Sequence, residues 1–116
     1  INQDVIDHIN RLQKFREWYK KSMRVNSGYR TLKYNRGLKS SDRSQHIKGV
    51  ATDVDFHSSF DRLSNSEKSK KAREYRAKWH EICREDGLEG GFGSYDTFMH
   101  LDSRKKKSDW KNQKNY

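Results

Sequence analysis

The sequence predicts an α+β domain: a small antiparallel sheet with helices packed on one side. Two long stretches carry apolar residues at three- and four-residue steps, the spacing of a single helix face. Three short stretches instead alternate apolar and polar residues, the period of a half-buried strand. The strands lie close together in the chain with only two long helices, which suggests antiparallel pairing and helices on one side.

Residues 2 to 21 form the first predicted helix, with Val5, Ile9, Leu12, Phe15 and Tyr19 on its apolar stripe and Asn2 as N-cap. "MRVNSGY" follows as a strand. Met23, Val25, Ser27 and Tyr29 alternate against Arg24, Asn26 and Gly28, running into a Ser-Gly turn. Residues 31 to 45 are polar and aperiodic, a loop with one helical turn at "LKYN". Residues 50 to 56 alternate again: Val50, Thr52, Val54 and Phe56 on one face, Ala51, Asp53 and Asp55 on the other.

"SNSE", residues 64 to 67, has the spacing of a capping box. The helix it starts carries Ala72, Tyr75, Trp79 and Ile82 on one stripe, and Gly87 stops it. "LEGGFGS" reads as a flexible connection. "YDTFMHLD" is the last predicted strand, with Tyr95, Thr97, Met99 and Leu101 opposite Asp96, Phe98, His100 and Asp102. Residues 104 to 116 form a basic tail anchored by Trp110, and no internal repeat is visible.

A chain of 116 residues makes one domain spanning 1–116. Its hydrophobic fraction is only 30%, offset in part by an aromatic content of 12%, so the core should be thin and ring-rich. A core of that kind makes a bound ligand or metal relevant to folding as well as to chemistry. The net charge of +10 predicts attraction to polyanions. Nucleic acid, anionic membrane and anionic cell-wall polymer all qualify, and charge does not choose among them.

The single cysteine, Cys83, excludes an internal disulfide and reads as a packed helix-face thiol. No apolar run is long enough to span a membrane. No signal peptide is visible, and a start at Ile1 rather than Met points to a segment removed or omitted upstream.

The chemistry concentrates in "SQHIKGVATDVDF", residues 44 to 56. Asp53 and Asp55 lie opposite Val54 and Phe56, and His100 and Asp102 lie opposite Met99 and Leu101. If the apolar faces share a core, the polar faces line one surface. Gly49 lets the chain carrying His46 turn close to that surface. Two imidazoles and a carboxylate, with a fourth position left to water, make the ligand set of an open zinc site. Spacing alone also describes ordinary polar residues on a solvated sheet face, because His-x6-Asp is a weak zinc signature. His8, His57 and His80 read as surface residues among charges, and Asp55 as a residue that bonds within the site or caps a turn.

Three blocks, "SGYRT" at 27 to 31, "SQHIKGVATDVDF" at 44 to 56 and "GGFGSYDTFMHLDSR" at 90 to 104, together resemble the zinc D-Ala-D-Ala peptidase family. That family shares its fold with the hedgehog signalling domain. The pattern SxHxxGxAxD is met at Ser44, His46, Gly49, Ala51 and Asp53, and "FMHLD" is similar to the "FVHVD" of the peptidoglycan-cleaving subgroup of phage lysins and murein hydrolases. The resemblance implies zinc held by His46, Asp53 and His100. It makes Arg30 the oxyanion-stabilising cation and Ser44 a substrate-binding residue, although a loop serine also bonds its own backbone.

Many relatives carry an acid or base two or three residues before the last ligand, where this chain has Phe98 and Thr97. By strand parity Asp102 and Asp96 both lie on the ligand face. The resemblance, whose subgroup pattern includes an Asp at the place of Asp102, implies Asp102 as the general base with Asp96 as the alternative. Orientation of a ligand histidine is the rival role for Asp102.

The implied function is a zinc metallopeptidase that cleaves peptidoglycan peptides next to D-amino acids, as an endopeptidase or carboxypeptidase. It would work as a monomer at the bacterial cell wall, held by its basic surface to anionic wall polymer. Release by a phage, or a cytoplasmic stage before lysis, are both open origins. The alternative is a non-catalytic, zinc-stabilised hedgehog-type binding module of the wall. A nucleic-acid-binding role rests on charge and tyrosines alone and leaves the ligand set unexplained.

Overall fold

The computed structural model describes residues 3–27 and 50–116. Helix α1 covers Gln3–Tyr19, strand β1 Arg24–Ser27 and strand β2 Ala51–Asp55. A 3-10 turn at Ser58–Arg62 leads to helix α2 at Asn65–Glu85, followed by β3 at Gly91–Tyr95, β4 at Phe98–Asp102 and β5 at Ser108–Asn112. The predicted loop at 31 to 45 lies outside the described residues.

Among the described residues the architecture is α+β, as the sequence predicts, with two helices on one five-stranded sheet of order β1-β2-β4-β3-β5. Pairing is antiparallel in three ladders, but β5 runs parallel to β3, so the sheet is mixed rather than purely antiparallel. The expected basic tail is thus partly a strand. Chain direction explains how so short a connection suffices. Gly91 lies opposite Asp102, so β4 ends where β3 begins. The chain then crosses that end, with Gly90 N–H donating to the Arg104 carbonyl and Ser108 N–H to the Gly90 carbonyl.

The stretch expected to be a flexible glycine-rich connection is β3 itself. Glycine removes the side-chain alternation that identifies a strand, and here the missing side chains are required. A Cβ on Gly91 would collide with the Asp102 carboxylate, and one on Gly93 with the Trp110 indole.

Helix α2 starts as predicted. Ser64 Oγ accepts from Glu67 N–H and Glu67 Oε1 accepts from Ser64 N–H, closing a capping box worth about 1 kcal/mol. Its stripe buries Tyr75, Trp79 and Ile82 against Phe15 and Tyr19 of α1 and against Val54, Phe92, Met99 and Leu101 of the sheet. Aromatic edges interlock there: Phe15 meets Trp79 at 6.1 Å and Tyr19 meets Tyr75 at 5.2 Å between centroids.

Helix α1 is rotated relative to its hydropathy. The buried face is His8, Arg11, Phe15 and Tyr19, while Ile9 is 53% exposed. Polar partners account for the difference. His8 Nδ1 lies 2.6 Å from Ser103 Oγ and Nε2 3.0 Å from Thr52 Oγ1, and Arg11 Nε donates to Asp86 at 2.8 Å.

His80 is likewise buried rather than on the surface. Its Nδ1 lies 2.6 Å from the Glu89 carbonyl and its Nε2 2.6 Å from Asp109 Oδ1, fastening α2 to β5. Of these three histidines only His57 keeps a partly exposed position, as N-cap of the 3-10 turn.

Candidate metal and peptidase site

The site forms on the sheet face turned away from the helices. The β2–β4 register sets Asp53 opposite His100, with Val54 opposite Met99 and Thr52 opposite Leu101. Burying Val54, Met99 and Leu101 under the helices therefore forces Asp53, His100 and Asp102 onto the other face. Sequence parity placed these three together, and the structure does too.

His100 stands between the two carboxylates. Its Nδ1 is 3.1 Å from Asp53 Oδ1 and its Nε2 is 2.8 Å from Asp102 Oδ2. Asp102 is 0% exposed, and Arg104 closes on it from the other side, with Nε 2.9 Å from Oδ1 and Nη2 2.6 Å from Oδ2. The Arg104 backbone N–H donates to Oδ1 as well. Below the carboxylate the indole of Trp79 donates to the Asp102 carbonyl, 2.8 Å away.

Burial alone would raise the Asp102 pKa, but its bonds to His100 and Arg104 outweigh burial and lower it to about 2. Burial would lower that of His100, and its bonds to Asp102 and Asp53 outweigh burial and raise it above the ordinary value. The Asp102 bond raises the Arg104 value in turn. Two carboxylates thus make the place around His100 favourable for positive charge.

An aromatic wall borders the histidine on the β3–β5 side. Trp110 lies over Gly93, its ring 4.9 Å from that of His100, and the Arg104 guanidinium sits 5.5 Å over the indole. Trp110 Nε1 donates to Tyr95 Oη at 2.9 Å, and Tyr95 stacks on Phe98 at 4.2 Å. Trp110 anchors the last strand, as expected, and at the same time walls the site.

The other sequence candidates divide. Arg30, Ser44 and His46 lie outside the described residues. Asp96, the alternative base, sits in the β3–β4 turn, where Oδ1 accepts from the backbone N–H groups of Lys114 and Asn115. Asp55 pairs across strands with Arg24 at 3.7 Å and neither joins the site nor caps a turn. Arg104 and the glycines at 91 and 93 were missed by sequence reasoning. The signal was there: an arginine two residues beyond Asp102, and glycine at alternate positions of "GGFG".

Among the described residues, no group of three or more His, Cys, Asp or Glu side chains is arranged to hold a metal. The donor chemistry of the pair that is described does suit zinc. An imidazole nitrogen and a carboxylate oxygen sit side by side, and the far ring nitrogen is fixed by a carboxylate, the usual support of a metal-ligating histidine.

Residues 1–102 match the family model described as Peptidase M15. No curated protein and no solved structure matches the chain.

Proposed function

Since this chain belongs to the Peptidase M15 family, we propose that it is a zinc-dependent peptidase hydrolysing peptidoglycan peptide bonds next to D-amino acids. Family membership makes it a peptidase with a peptide substrate. The zinc, the peptidoglycan substrate and the work at the bacterial wall are the finer reading. The observation that carries it is His100 held between Asp53 and the buried Asp102–Arg104 pair.

His46, Asp53 and His100 would hold the metal. Bound zinc supplies Lewis acidity, polarising the scissile carbonyl and acidifying water to a pKa of about 7. Asp102 keeps a proton on His100 Nε2, so Nδ1 offers its lone pair beside Asp53. Both Asp102 oxygens are engaged, which favours the orienting role for this residue over that of proton carrier. Arg30 would steady the oxyanion that forms at the attacked carbonyl, and Ser44 would bind the substrate peptide. The Trp110–Tyr95 wall keeps bulk water from one side of His100.

One observation favours a second reading, a zinc-stabilised binding module without turnover. Phe98 stacks its ring on Tyr95, and neither a phenyl ring nor the Thr97 hydroxyl titrates near neutral pH, so neither position supplies an acid or base. The test is zinc-loaded protein on purified peptidoglycan, with released peptides followed by mass spectrometry. Zinc-dependent cleavage next to D-amino acids is expected. Bound zinc with no cleavage would establish the binding module instead.

A further inference from the structure

The strand that walls the site has a second face. Trp110 points toward His100, so Asp109 and Lys111 point to the helix side, and Asp109 there meets His80 of α2. Beside that contact a groove runs between α2 and β5. Arg73 and Arg76, one turn apart on α2, line one wall, and Lys111 and Gln113 line the other. Phe92 and Ser94 form the floor, with Ser94 Oγ donating to Gln113 Oε1 at 2.9 Å.

Among the described residues the groove is lined by three cations and no acid. The nearby acids are engaged elsewhere: Glu74 with Lys71 at 3.5 Å, Glu81 with Lys78 at 3.4 Å, and Asp109 with His80 at 2.6 Å. Among the described residues no carboxylate pairs with Arg73, Arg76 or Lys111. Three cations gathered along one groove repel one another, and an anion that enters relieves the repulsion. Two arginines offer forked donors that match phosphate oxygens.

We propose that this groove binds a phosphodiester-linked polyol polymer of the bacterial wall, seating the chain on its substrate. This rests on the reading of the protein as a wall peptidase. Lys111 lies on β5, an edge strand, beyond which no further strand of the described sheet stands in the way of a linear chain. Single-stranded nucleic acid is the poorer match, because it also needs exposed rings to stack on. Here Phe92 is buried, and Trp110, which borders the groove and is half-buried, has its ring engaged by Gly93, His100 and the Arg104 guanidinium. The inference places wall attachment in the α2–β5 groove rather than in the lysine run at 105–107 of the basic tail.

The experiment measures binding of labelled poly(glycerol phosphate) at about 0.15 M salt, where exposed charges beyond roughly 8 Å are screened. Two variants that lose equal charge are compared: Arg73→Gln/Arg76→Gln/Lys111→Gln and Lys105→Gln/Lys106→Gln/Lys107→Gln. The groove variant should bind at least about tenfold more weakly, and the lysine-run variant within about twofold of wild type. Equal losses, or a larger loss from the lysine run, overturn the proposal. Wild type that binds a single-stranded oligonucleotide but not the polymer overturns it in favour of nucleic acid.

Should the triple groove variant not fold, Arg73→Glu set against Lys106→Glu, both at exposed positions and equal in charge change, carries the same comparison. Hydrolysis of a small soluble muropeptide by wild type is followed separately. Its absence counts against the peptidase reading and leaves the binding result as it stands.

Discussion

Trp79, fully buried in α2, donates its indole N–H to the main-chain carbonyl of Asp102, the residue whose carboxylate holds His100. Core and candidate site thus share one residue. Packing α2 onto the sheet also sets the height of Asp102, and through it the orientation of the histidine. The site is therefore sensitive to a helix that contributes no residue to it.

Trp79→Phe keeps most of the ring volume but leaves a buried carbonyl with only the weak Cys83 thiol donor at 3.9 Å, which costs about 1–3 kcal/mol. Trp79→Ala adds a cavity and should cost roughly 3–5 kcal/mol. Chemical denaturation checks both. Zinc affinity should fall in Trp79→Phe even where the protein remains folded. Unchanged affinity would mean that Asp102 is held by Arg104 and its own strand alone.

Asp102→Asn removes the carboxylate that fixes a proton on His100 Nε2 and leaves Arg104 without its counter-charge. Zinc affinity is expected to drop about 10- to 100-fold, measured by competition with a chromophoric chelator. Gly91→Ala should produce a similar loss, because its Cβ would occupy the space of the same carboxylate. Wild-type affinity in both variants would remove Asp102 from the support of the metal.

Arg30→Ala should lower turnover on the order of 10²- to 10³-fold with zinc still bound, as loss of an oxyanion donor does elsewhere. Steady-state kinetics beside elemental analysis checks this. Wild-type turnover would reduce Arg30 to a surface charge.

Alkaline pH should unfold the protein early. Burial pushes the Cys83 thiol from 9.0 up to about 12 and the Tyr116 hydroxyl from 10.0 to about 12, and it raises the Tyr75 hydroxyl as well. The folded chain therefore holds protons that the unfolded chain releases first. This contribution is complete below about pH 9 and is lost as the pH climbs toward about 12. Melting temperatures from pH 8 to 11 should fall steeply above 9. A flat profile would contradict the burial of these groups. For the same reason Cys83 should resist thiol reagents at pH 8 until the protein is denatured.

Much of this was legible in the sequence, and the failures have identifiable causes. Strand parity brought Asp53, His100 and Asp102 to one face because Val54, Met99 and Leu101 leave the strands no other orientation. The capping box and stripe of α2 were equally readable. Hydropathy misplaced the buried face of α1, because His8 and Arg11 are buried through specific polar partners that no single-residue scale encodes. It lost β3 because Gly91 and Gly93 are glycines for the sake of Asp102 and Trp110, which lie far along the chain. It read β5 as tail because three lysines precede it and its pairing with β3 is set by where β4 ends. Each miss concerns a residue whose reason is a partner distant in sequence.

The most direct measurement is zinc content by elemental analysis of chelator-treated protein re-equilibrated with micromolar zinc. Wild type should carry one zinc per chain, and His46→Ala, Asp53→Ala and His100→Ala little or none, with lower melting temperatures. A fully folded, metal-free wild type under those conditions would contradict the account at its centre.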